Sequence, residues 1–254
     1  MRKSWVLWVA AVVITLASAI YQRMTGPSYP ARGSTKVGGI DVKYKLIRTH
    51  GRGNAEINFE APGPISGTLA WKRHKTADRW TYVDMQRRGG LLAASLPEQP
   101  PAGKLEYRVI LQTGGERVTL GGSPVVIRFR GEVPAWVLHP HIVAMFAGLL
   151  LSARAGLELF RPSPSLRLIW PTFILLTVGG MILGPIVQNY AFGAYWTGWP
   201  FGTDLTDNKT AVAWLLWAVA AWRKSPKWVA LAAIATFAVY LIPHSMFGSE
   251  LKHQ

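Results

Sequence analysis

One stretch decides the fold: Trp136-Val137-Leu138-His139-Pro140-His141-Ile142-Val143-Ala144-Met145-Phe146-Ala147-Gly148-Leu149-Leu150-Leu151-Ser152, which is apolar apart from two histidines. A helix of about 20 apolar residues crosses the hydrocarbon core of a bilayer. Three further apolar segments follow, at 168–187, 211–222 and 228–242. The last two are short and need flanking residues to cross. The C-terminal part, 133–254, is therefore predicted to be a four-helix transmembrane domain.

The N-terminus carries a fifth apolar segment. Residues 5–20 are uncharged and follow Arg2 and Lys3, which is typical of a signal anchor or of a cleaved signal peptide. The small residues Ala17-Ser18-Ala19 would suit a cleavage site. We favour a retained anchor, residues 1–22, followed by a linker, 23–37. Both alternatives export the part of the chain that follows.

Residues 38–132 are predicted to form an exported all-β domain. Apolar and polar residues alternate at Ala55, Ile57 and Phe59, and again from Leu105 to Leu111, as in strands with one buried face. The Gly114-Gly115 and Gly121-Gly122 pairs fall where tight turns are needed. Short strands at this spacing favour a β-sandwich. The expected fold class is a membrane α-helical bundle, an anchor plus four spans, with an inserted β-sandwich domain.

The orientation follows from basic residues in the connections. If the spans alternate, two short basic connections fall on the same side as Arg2 and Lys3, and they contain Arg154, Arg161, Arg167, Arg223, Lys224 and Lys227. Positive connections stay in the cytoplasm. We therefore expect a multi-pass protein of a bacterial inner (plasma) membrane. Its N-terminus is cytoplasmic, and its sandwich and C-terminus are periplasmic.

Composition excludes several classes of function. The net charge is +15, but the basic residues form no Lys/Arg-rich tract, so nucleic acid is not an expected partner. Membrane lipid with anionic headgroups explains the charge more simply. The absence of cysteine excludes disulfides, thiolate metal sites, iron–sulfur clusters and covalently attached c-type haem.

The predicted topology brings unusual polar residues to one membrane face. His139 and His141 lie at the outer end of the second span, and His244 lies at the outer end of the fifth. The long outer loop, 188–210, is rich in aromatic residues and contains Asp204 and Asp207. Polar groups at the edge of hydrocarbon are costly unless paired or ligated. This cluster is the candidate functional site.

Two ligand chemistries fit the cluster. One is b-type haem held by His141 and His244, with the porphyrin against Tyr195, Trp196 and Trp199 and with cationic groups such as Lys209 for its propionates. The other is copper or zinc bound by histidines and one carboxylate, from His139, His141, His244, Asp204 and Asp207. His139 and His141 diverge by roughly 200° on one helix. Both can face one ligand only if Pro140 marks the helix start.

Two resemblances support parts of this interpretation. The stretch Leu96-Pro97-Glu98-Gln99-Pro100-Pro101-Ala102-Gly103-Lys104-Leu105-Glu106-Tyr107 resembles the approach to a late strand in fibronectin type III and immunoglobulin-like sandwiches. The resemblance implies that Tyr107 hydrogen-bonds back to the preceding turn. His50 and His74 are interpreted as surface histidines.

The outer face resembles the haem-handling proteins of cytochrome c assembly. In that family, a Trp-rich outer loop lies between two flanking histidines. Here His139 and His141 precede Tyr195-Trp196-Thr197-Gly198-Trp199, and His244 follows it. The segment Asp207-Asn208-Lys209-Thr210 is similar to the passage after the family's tryptophans. The insertion 200–206 and the exported sandwich depart from the family pattern.

These patterns leave several functions open. The leading hypothesis is a protein that binds or presents haem for assembly of, or electron transfer to, an exported redox protein that docks on the sandwich. The alternatives are a copper or zinc assembly factor and a non-catalytic subunit or scaffold of a membrane complex. The residues favour no enzymatic reaction: no Ser/His/Asp set can be argued, and no charged residue lies at mid-membrane depth, as a coupled transporter would usually need.

Overall fold

The computed structural model describes residues 4–243. The chain forms two compact units: a helical unit of residues 4–27 and 133–243, and a strand-built unit of residues 28–132. The helices are α1 (Ser4–Thr25), α2 (Ala135–Gly156), α3 (Ile169–Leu176), α4 (Gly184–Phe192), α5 (Leu205–Arg223) and α6 (Pro226–Tyr240). A 3-10 turn, Leu157–Phe160, follows α2, and a π-helical segment, Thr177–Leu183, joins α3 to α4.

Three helical stretches among the described residues are long and apolar enough to cross a membrane: Ser4–Thr25, Ala135–Phe160 and Ile169–Phe192. The other two segments predicted as spans lie in α5 and α6. The apolar helix α6 has only 15 residues. The first turns of α5 contain the polar residues Asp207, Asn208 and Lys209, which lower its hydropathy. The structure is thus a mixed helical and β-sheet protein with three membrane-compatible helices.

Helix α1 packs on the rest of the helical unit through one face. Its buried residues recur every three or four positions, as one side of a helix does: Leu7, Ala11, Thr15 and Ser18. Near its start, Arg154 Nη2 donates to Ser4 Oγ at 3.2 Å, and the guanidinium lies over the Trp8 ring. Near its end, the Gln22 side-chain amide donates to the Tyr240 carbonyl. These contacts tie α1 to α2 and α6.

Arg154 was predicted to lie in a connection between two spans, but the structure places it in a helix. It lies in the last turns of α2 and is 3% exposed, and Glu158, which is also 3% exposed, pairs with it at 2.6 Å. Buried charges are tolerated when they are paired. Glu158 lies four residues later, in the 3-10 turn that follows α2, and closes the ion pair. Helix α2 extends to Gly156, past the predicted end at Ser152.

The strands are β1 (Ala31–Val37), β2 (Ile40–Leu46), β3 (Thr49–His50), β4 (Ala55–Glu60), β5 (Ser66–Arg73), β6 (Thr81–Asp84), β7 (Gln86–Arg88), β8 (Leu91–Leu96), β9 (Lys104–Thr113), β10 (Glu116–Thr119) and β11 (Val125–Phe129). They form a hairpin, β1-β2, a sheet in the order β4-β8-β7 and a sheet in the order β3-β11-β9-β5-β6, with β10 also paired to β9. One apolar cluster contains buried residues from all three sheets, including Val42, Ile57, Phe59, Leu69, Leu92, Leu105, Val109 and Ile127. The alternating side chains of β4 and β9 supply this core, as predicted.

The segment predicted as a linker, 23–37, is structured. It contains the end of α1 and the whole of β1, which pairs with β2 through the two-residue turn Gly38-Gly39. Both glycines have positive φ, 57° and 78°, as this class of hairpin turn requires. Most side chains of β1 are exposed, so the strand lacks the apolar alternation that identifies strands in a sequence.

Tyr107 is hydrogen-bonded, but not to the turn that precedes it. Its hydroxyl donates to the carbonyl of Ile47 at 2.8 Å, which lies between β2 and β3. The side chain is fully buried, and burial raises the pKa of the phenol above its ordinary value. The expected contact is therefore replaced by one that joins β9 to a distant part of the chain. His74, predicted to be a simple surface histidine, lies 2.7 Å from Glu106.

Candidate functional site

His141 lies on α2 against the π-helical segment. Its Nδ1 is 2.8 Å from the carbonyl oxygen of Gly179, and the side chain is half-buried. A carbonyl only accepts, so Nδ1 carries the hydrogen and donates it. In the neutral ring, Nε2 then holds the lone pair. This is the tautomer in which metal- and haem-ligating histidines are usually held by a backbone carbonyl.

Two glycines allow the close packing around this histidine. A Cβ on Gly179 would lie 3.0 Å from the Ala144 side chain of α2, and one on Gly180 would lie 2.7 Å from the Thr210 side chain of α5. Small residues let membrane helices approach closely. The spacing of Gly180 and Gly184 predicts a close helix contact through both, whereas a Cβ on Gly184 would meet only looser contacts, at 3.4 Å or more. Gly179 therefore allows the close approach of α2, and Gly180 that of α5.

His139 does not join His141 in one site. Helix α2 begins at Ala135, after Pro134, so both histidines are helical and Pro140 lies inside the helix. At two residues apart they diverge by roughly 200°, and His139 is exposed. The condition under which both rings could face one ligand, a helix that starts at Pro140, is therefore not met.

The loop 194–203 is folded onto the start of α5 by the buried carboxylate of Asp207. Its Oδ2 accepts from the backbone N–H groups of Thr197 at 2.6 Å and Gly198 at 2.9 Å, and from Gln188 Nε2 at 3.1 Å. Asp207 precedes the apolar segment 211–222 of α5.

Asn208 continues this arrangement. Its Oδ1 accepts from the backbone N–H of Trp199 at 2.7 Å. A Cβ on Gly198 would lie 2.6 Å from Asn208 Oδ1 and 2.7 Å from Asp207 Cβ. Position 198 therefore needs glycine, since the loop backbone passes directly over the two side chains that hold it.

Asp204 caps α5. Its Oδ1 accepts from the backbone N–H of Thr206 at 2.8 Å, and Thr197 Oγ1 lies 3.2 Å from its Oδ2. An acidic residue at this position satisfies a free amide of the first turn. A helix that begins with the apolar segment 211–222 would instead predict Asp207 or Thr206 as its cap. The helix begins earlier than predicted, which frees Asp207 to hold the loop.

Lys209 is not available to a propionate in this arrangement. It is 3% exposed, and its Nζ donates to the carbonyl of Ile242 at 2.8 Å while lying over the Tyr240 ring. The side chain thus ties the start of α5 to the residues that follow α6.

Three loop aromatics point away from this network. Tyr195 is 61% exposed, Trp199 is 78% exposed and Phe201 is 82% exposed. Trp196 is half-buried, and its Nε1 donates to the Trp199 carbonyl at 3.1 Å. The loop therefore keeps its polar groups inside and presents aromatic rings outside.

The predicted metal site is only partly within the described residues. Among residues 4–243, no group of three His, Asp or Glu side chains comes together around a common centre. Asp204 and Asp207 are occupied by backbone amides, and His139 faces away from His141. His244, predicted as a ligand of haem or metal, lies outside the described residues.

The residues that hold the loop include Thr197, Gln188 and Asn208, which sequence reasoning did not single out. Their hydrogen bonds join side-chain and backbone atoms that lie 7 to 19 positions apart in the sequence. Such contacts leave no mark in composition or periodicity. The one available signal was Gly198 between two tryptophans, because a glycine there indicates a close backbone approach.

Comparisons with known proteins add no relative from which a role could be transferred. No protein-family model matches the chain, and no curated protein matches it. The function must therefore be argued from the chemistry of the site.

Proposed function

We propose that this protein is a scaffold in a bacterial inner membrane that holds a membrane or periplasmic redox partner, and that it is not an enzyme. The loop 194–203 carries the proposal. Its polar groups are satisfied within the fold, whereas Tyr195, Trp199 and Phe201 are 61–82% exposed. Exposed aromatic rings on an ordered backbone are typical of the anchors of protein–protein contacts. Because the loop is already ordered, binding costs less conformational entropy.

The proposed topology places this loop in the periplasm. Five stretches cross the membrane: α1, α2, residues 169–192, α5 and α6. The contact between Lys209 and Ile242 supports a common end for the start of α5 and the end of α6. Basic residues flank the opposite ends, at Arg161 and Arg167 and at 223–227, which favours the cytoplasm there. Helix α6 needs its flanking residues to complete the crossing.

We further propose that the strand-built unit is an immunoglobulin-like sandwich in the periplasm. In such sandwiches, strands B, E and D share one sheet and strands C, F and G share the other. The order β4-β8-β7 corresponds to the first set, and β11-β9-β5 corresponds to the second. A buried core between the sheets supports this assignment. Such a domain suits docking of an exported partner.

Cross-linking in native membranes tests the scaffold proposal. Because the chain has no cysteine, Trp199→Cys supplies a single thiol for a thiol-reactive photo-cross-linker. Trp222→Cys is a matched control, since Trp222 is 75% exposed at the far end of α5 and Trp199 is 78% exposed. We expect one defined protein adduct from position 199 and none from position 222. Equal labelling at both positions, with a monomer after mild extraction, would contradict the proposal.

Haem binding is the second candidate, and one observation favours it. The hydrogen bond from His141 Nδ1 to Gly179 orients the ring and leaves the Nε2 lone pair for a ligand. The other predicted features fit less well. His139 faces elsewhere, and Lys209 is committed to Ile242. The described residues therefore offer a single oriented imidazole, which would supply one axial ligand to iron.

An absorption spectrum separates the two candidates. If His141 binds haem, the purified protein reconstituted with haem shows a Soret band that His141→Ala removes and His139→Ala retains. The His139 variant is a matched control, because it removes an imidazole from the same helix without touching the Gly179 contact. A chain without a Soret band in all three forms would leave the scaffold as the remaining candidate.

A further inference from the structure

The chain enters and leaves the strand-built unit at the same end. Five residues, 26–30, join α1 to β1, and another five, 130–134, join β11 to α2. The first residue of β1, Ala31, lies opposite the last residue of β2. Near the end of β11, Arg128 donates its backbone N–H to the carbonyl of Arg48, which lies two residues after β2. Both connections therefore leave from one end of the unit, which we call the connecting end.

Strand pairing places further segments at the connecting end. Lys104, the first residue of β9, lies opposite Arg128, and its carbonyl accepts from the backbone N–H of His74, just after β5. The loops before β4 and before β9 meet where Glu98 donates its backbone N–H to Asn54 Oδ1 at 3.0 Å. The connecting end therefore comprises residues 28–32, 45–54, 73–80, 97–104 and 128–132, and the opposite, far end comprises residues 36–41, 60–66, 84–91 and 113–124.

The two ends of the unit differ in charge. The connecting end holds ten Lys and Arg residues against three Asp and Glu residues, whereas the far end holds four of each kind. Two of the three acidic residues already lie beside an arginine: Asp78 is 2.6 Å from Arg73, and Glu132 is 3.9 Å from Arg52. The connecting end therefore keeps a large positive excess, and the far end is balanced.

The β1-β2 hairpin shows the same difference within one pair of strands. At the connecting end, Arg32 lies directly opposite Lys45, and both side chains are exposed. At the far end, Lys36 lies opposite Asp41. Like charges directly opposite each other destabilise a strand pair, whereas opposite charges stabilise it. An external anion would relieve the repulsion at the connecting end, and the far end has no such repulsion to relieve.

We propose that the connecting end binds the anionic phospholipid headgroups of the membrane surface and thereby holds the strand-built unit in one orientation on the bilayer. Helices α1 and α2 are long and apolar enough to cross a membrane. A connection of five residues reaches at most about 20 Å, so chain length alone keeps the connecting end near the headgroups. The inference deepens the proposed scaffold function and rests on it for the two membrane spans.

The distribution of the charge favours a surface over a small ligand. The basic residues of the connecting end come from five separate segments of the chain, as contacts with a broad array of phosphates require. Lysine and arginine side chains are long enough to extend their charged groups to headgroups. Each such residue beside an anionic leaflet strengthens binding by about fivefold.

An acidic protein is a poorer explanation of this pattern. Such a partner could dock on any face of the strand-built unit, and nothing would restrict its basic contacts to the end where the chain meets the two spans. A membrane surface is close to that end alone, because the far end lies at the opposite ends of the same strands. The balanced charge of the far end is thus expected for lipid.

Fluorescence quenching of the full chain in nanodiscs tests the proposal. Because the chain has no cysteine, Ala77→Cys at the connecting end and Ser123→Cys at the far end each supply one exposed site for a dye. The discs contain phosphatidylcholine with a headgroup-attached quencher, with or without phosphatidylglycerol. Phosphatidylglycerol should increase quenching at position 77 and change it little at position 123. High salt should reverse the increase, because it screens exposed charges. Quenching at position 77 that is the same in both lipids would overturn the proposal.

A matched pair of double variants separates the position of the charge from its amount. Arg32→Gln with Lys45→Gln removes two exposed cations from the connecting end, and Lys36→Gln with Arg117→Gln removes two from the far end. The first variant should lower the ratio of lipid-bound to free strand-built unit by on the order of 30-fold. The second should leave this ratio nearly unchanged. Equal effects of the two variants would mean that net charge alone matters, and would count against the connecting end.

Other anionic partners give different results. If inorganic phosphate abolishes the increase in quenching while chloride of the same ionic strength does not, the connecting end holds a small-anion site. If phosphatidylglycerol has no effect and polyglutamate binds tightly, the partner is an acidic protein. Either result overturns the proposal. The adduct expected at position 199 does not depend on lipid charge, so a failure of the scaffold proposal can be distinguished from a failure of lipid binding.

Discussion

The two ends of the helical unit bury polar side chains in opposite ways. At the loop end, which comprises residues 188–210 with Ile242, side chains bond mainly to backbone: Asp207 to two loop amides and Lys209 to a carbonyl. At the ion-pair end, Arg154 and Glu158 bond chiefly to each other, with Ser4 and Trp8 of α1 beside them. The first arrangement fixes a loop, and the second joins helices.

This difference predicts where each end is vulnerable. Removing one partner of a buried ion pair leaves the other charge uncompensated, which is costly. Substitutions at the ion-pair end should therefore lower the free energy of unfolding more than substitutions at the loop end. A side chain that holds backbone amides shapes a surface, so the loop end should lose order and binding more than global stability. Paired substitutions at the two ends test this contrast.

The largest effect is expected for Glu158→Ala. It removes the partner of Arg154 at 2.6 Å and also the acceptor of the Ser165 backbone N–H at 3.0 Å. Leaving one charge of a buried pair alone costs about 3–5 kcal/mol. Thermal unfolding in detergent should show a markedly lower midpoint, and α1 should become accessible to proteases.

A double variant supplies the control. Arg154→Met with Glu158→Leu replaces the pair by apolar side chains, which is often neutral or stabilising. Its unfolding midpoint should lie well above that of Glu158→Ala. If the double variant is as unstable as the single one, the pair is not what makes this end vulnerable.

At the loop end, Asp207→Ala should have the next largest effect. It leaves the Thr197 and Gly198 amides without their acceptor, and each unsatisfied buried donor costs about 1–3 kcal/mol. Limited proteolysis should cut within 194–203 while the unfolding midpoint falls less than in Glu158→Ala. Asp207→Asn keeps an acceptor oxygen and should be cut more slowly. A loop that stays resistant in both variants would show that Asp207 does not hold it.

The strands and helices that show a regular apolar pattern could be predicted from the sequence. The alternation at Ile57 and Phe59 identified a strand with one buried face, and the apolar segments identified the helices. Helical spacing alone predicts that the His139 and His141 rings diverge when both lie on one helix, and both lie in α2. The start of α2 at Ala135, rather than Pro140, then decided against a shared ligand.

The features missed in the sequence depend on contacts between distant backbone and side-chain atoms. Asp207 could be recognised as a polar residue near a helix start, but its acceptance of the Thr197 and Gly198 amides depends on the path of the loop. Arg154 was predicted to lie in a connection because the apolar segment ends at Ser152, whereas α2 continues to Gly156. Strand β1 was missed because pairing with β2, rather than burial, stabilises it.

The smallest of these effects is expected for Asp204, whose carboxylate caps α5 by accepting from an amide of its first turn. Asp204→Ala removes the acceptor of the Thr206 amide, and loss of a cap costs about 1 kcal/mol. Asp204→Ser retains a capping oxygen and should restore most of that loss in thermal unfolding. Because Asp207 still holds the loop, protease resistance of 194–203 should change little. Cleavage as fast as in Asp207→Ala would mean that the cap, rather than the amide contacts of Asp207, sets the path of the loop.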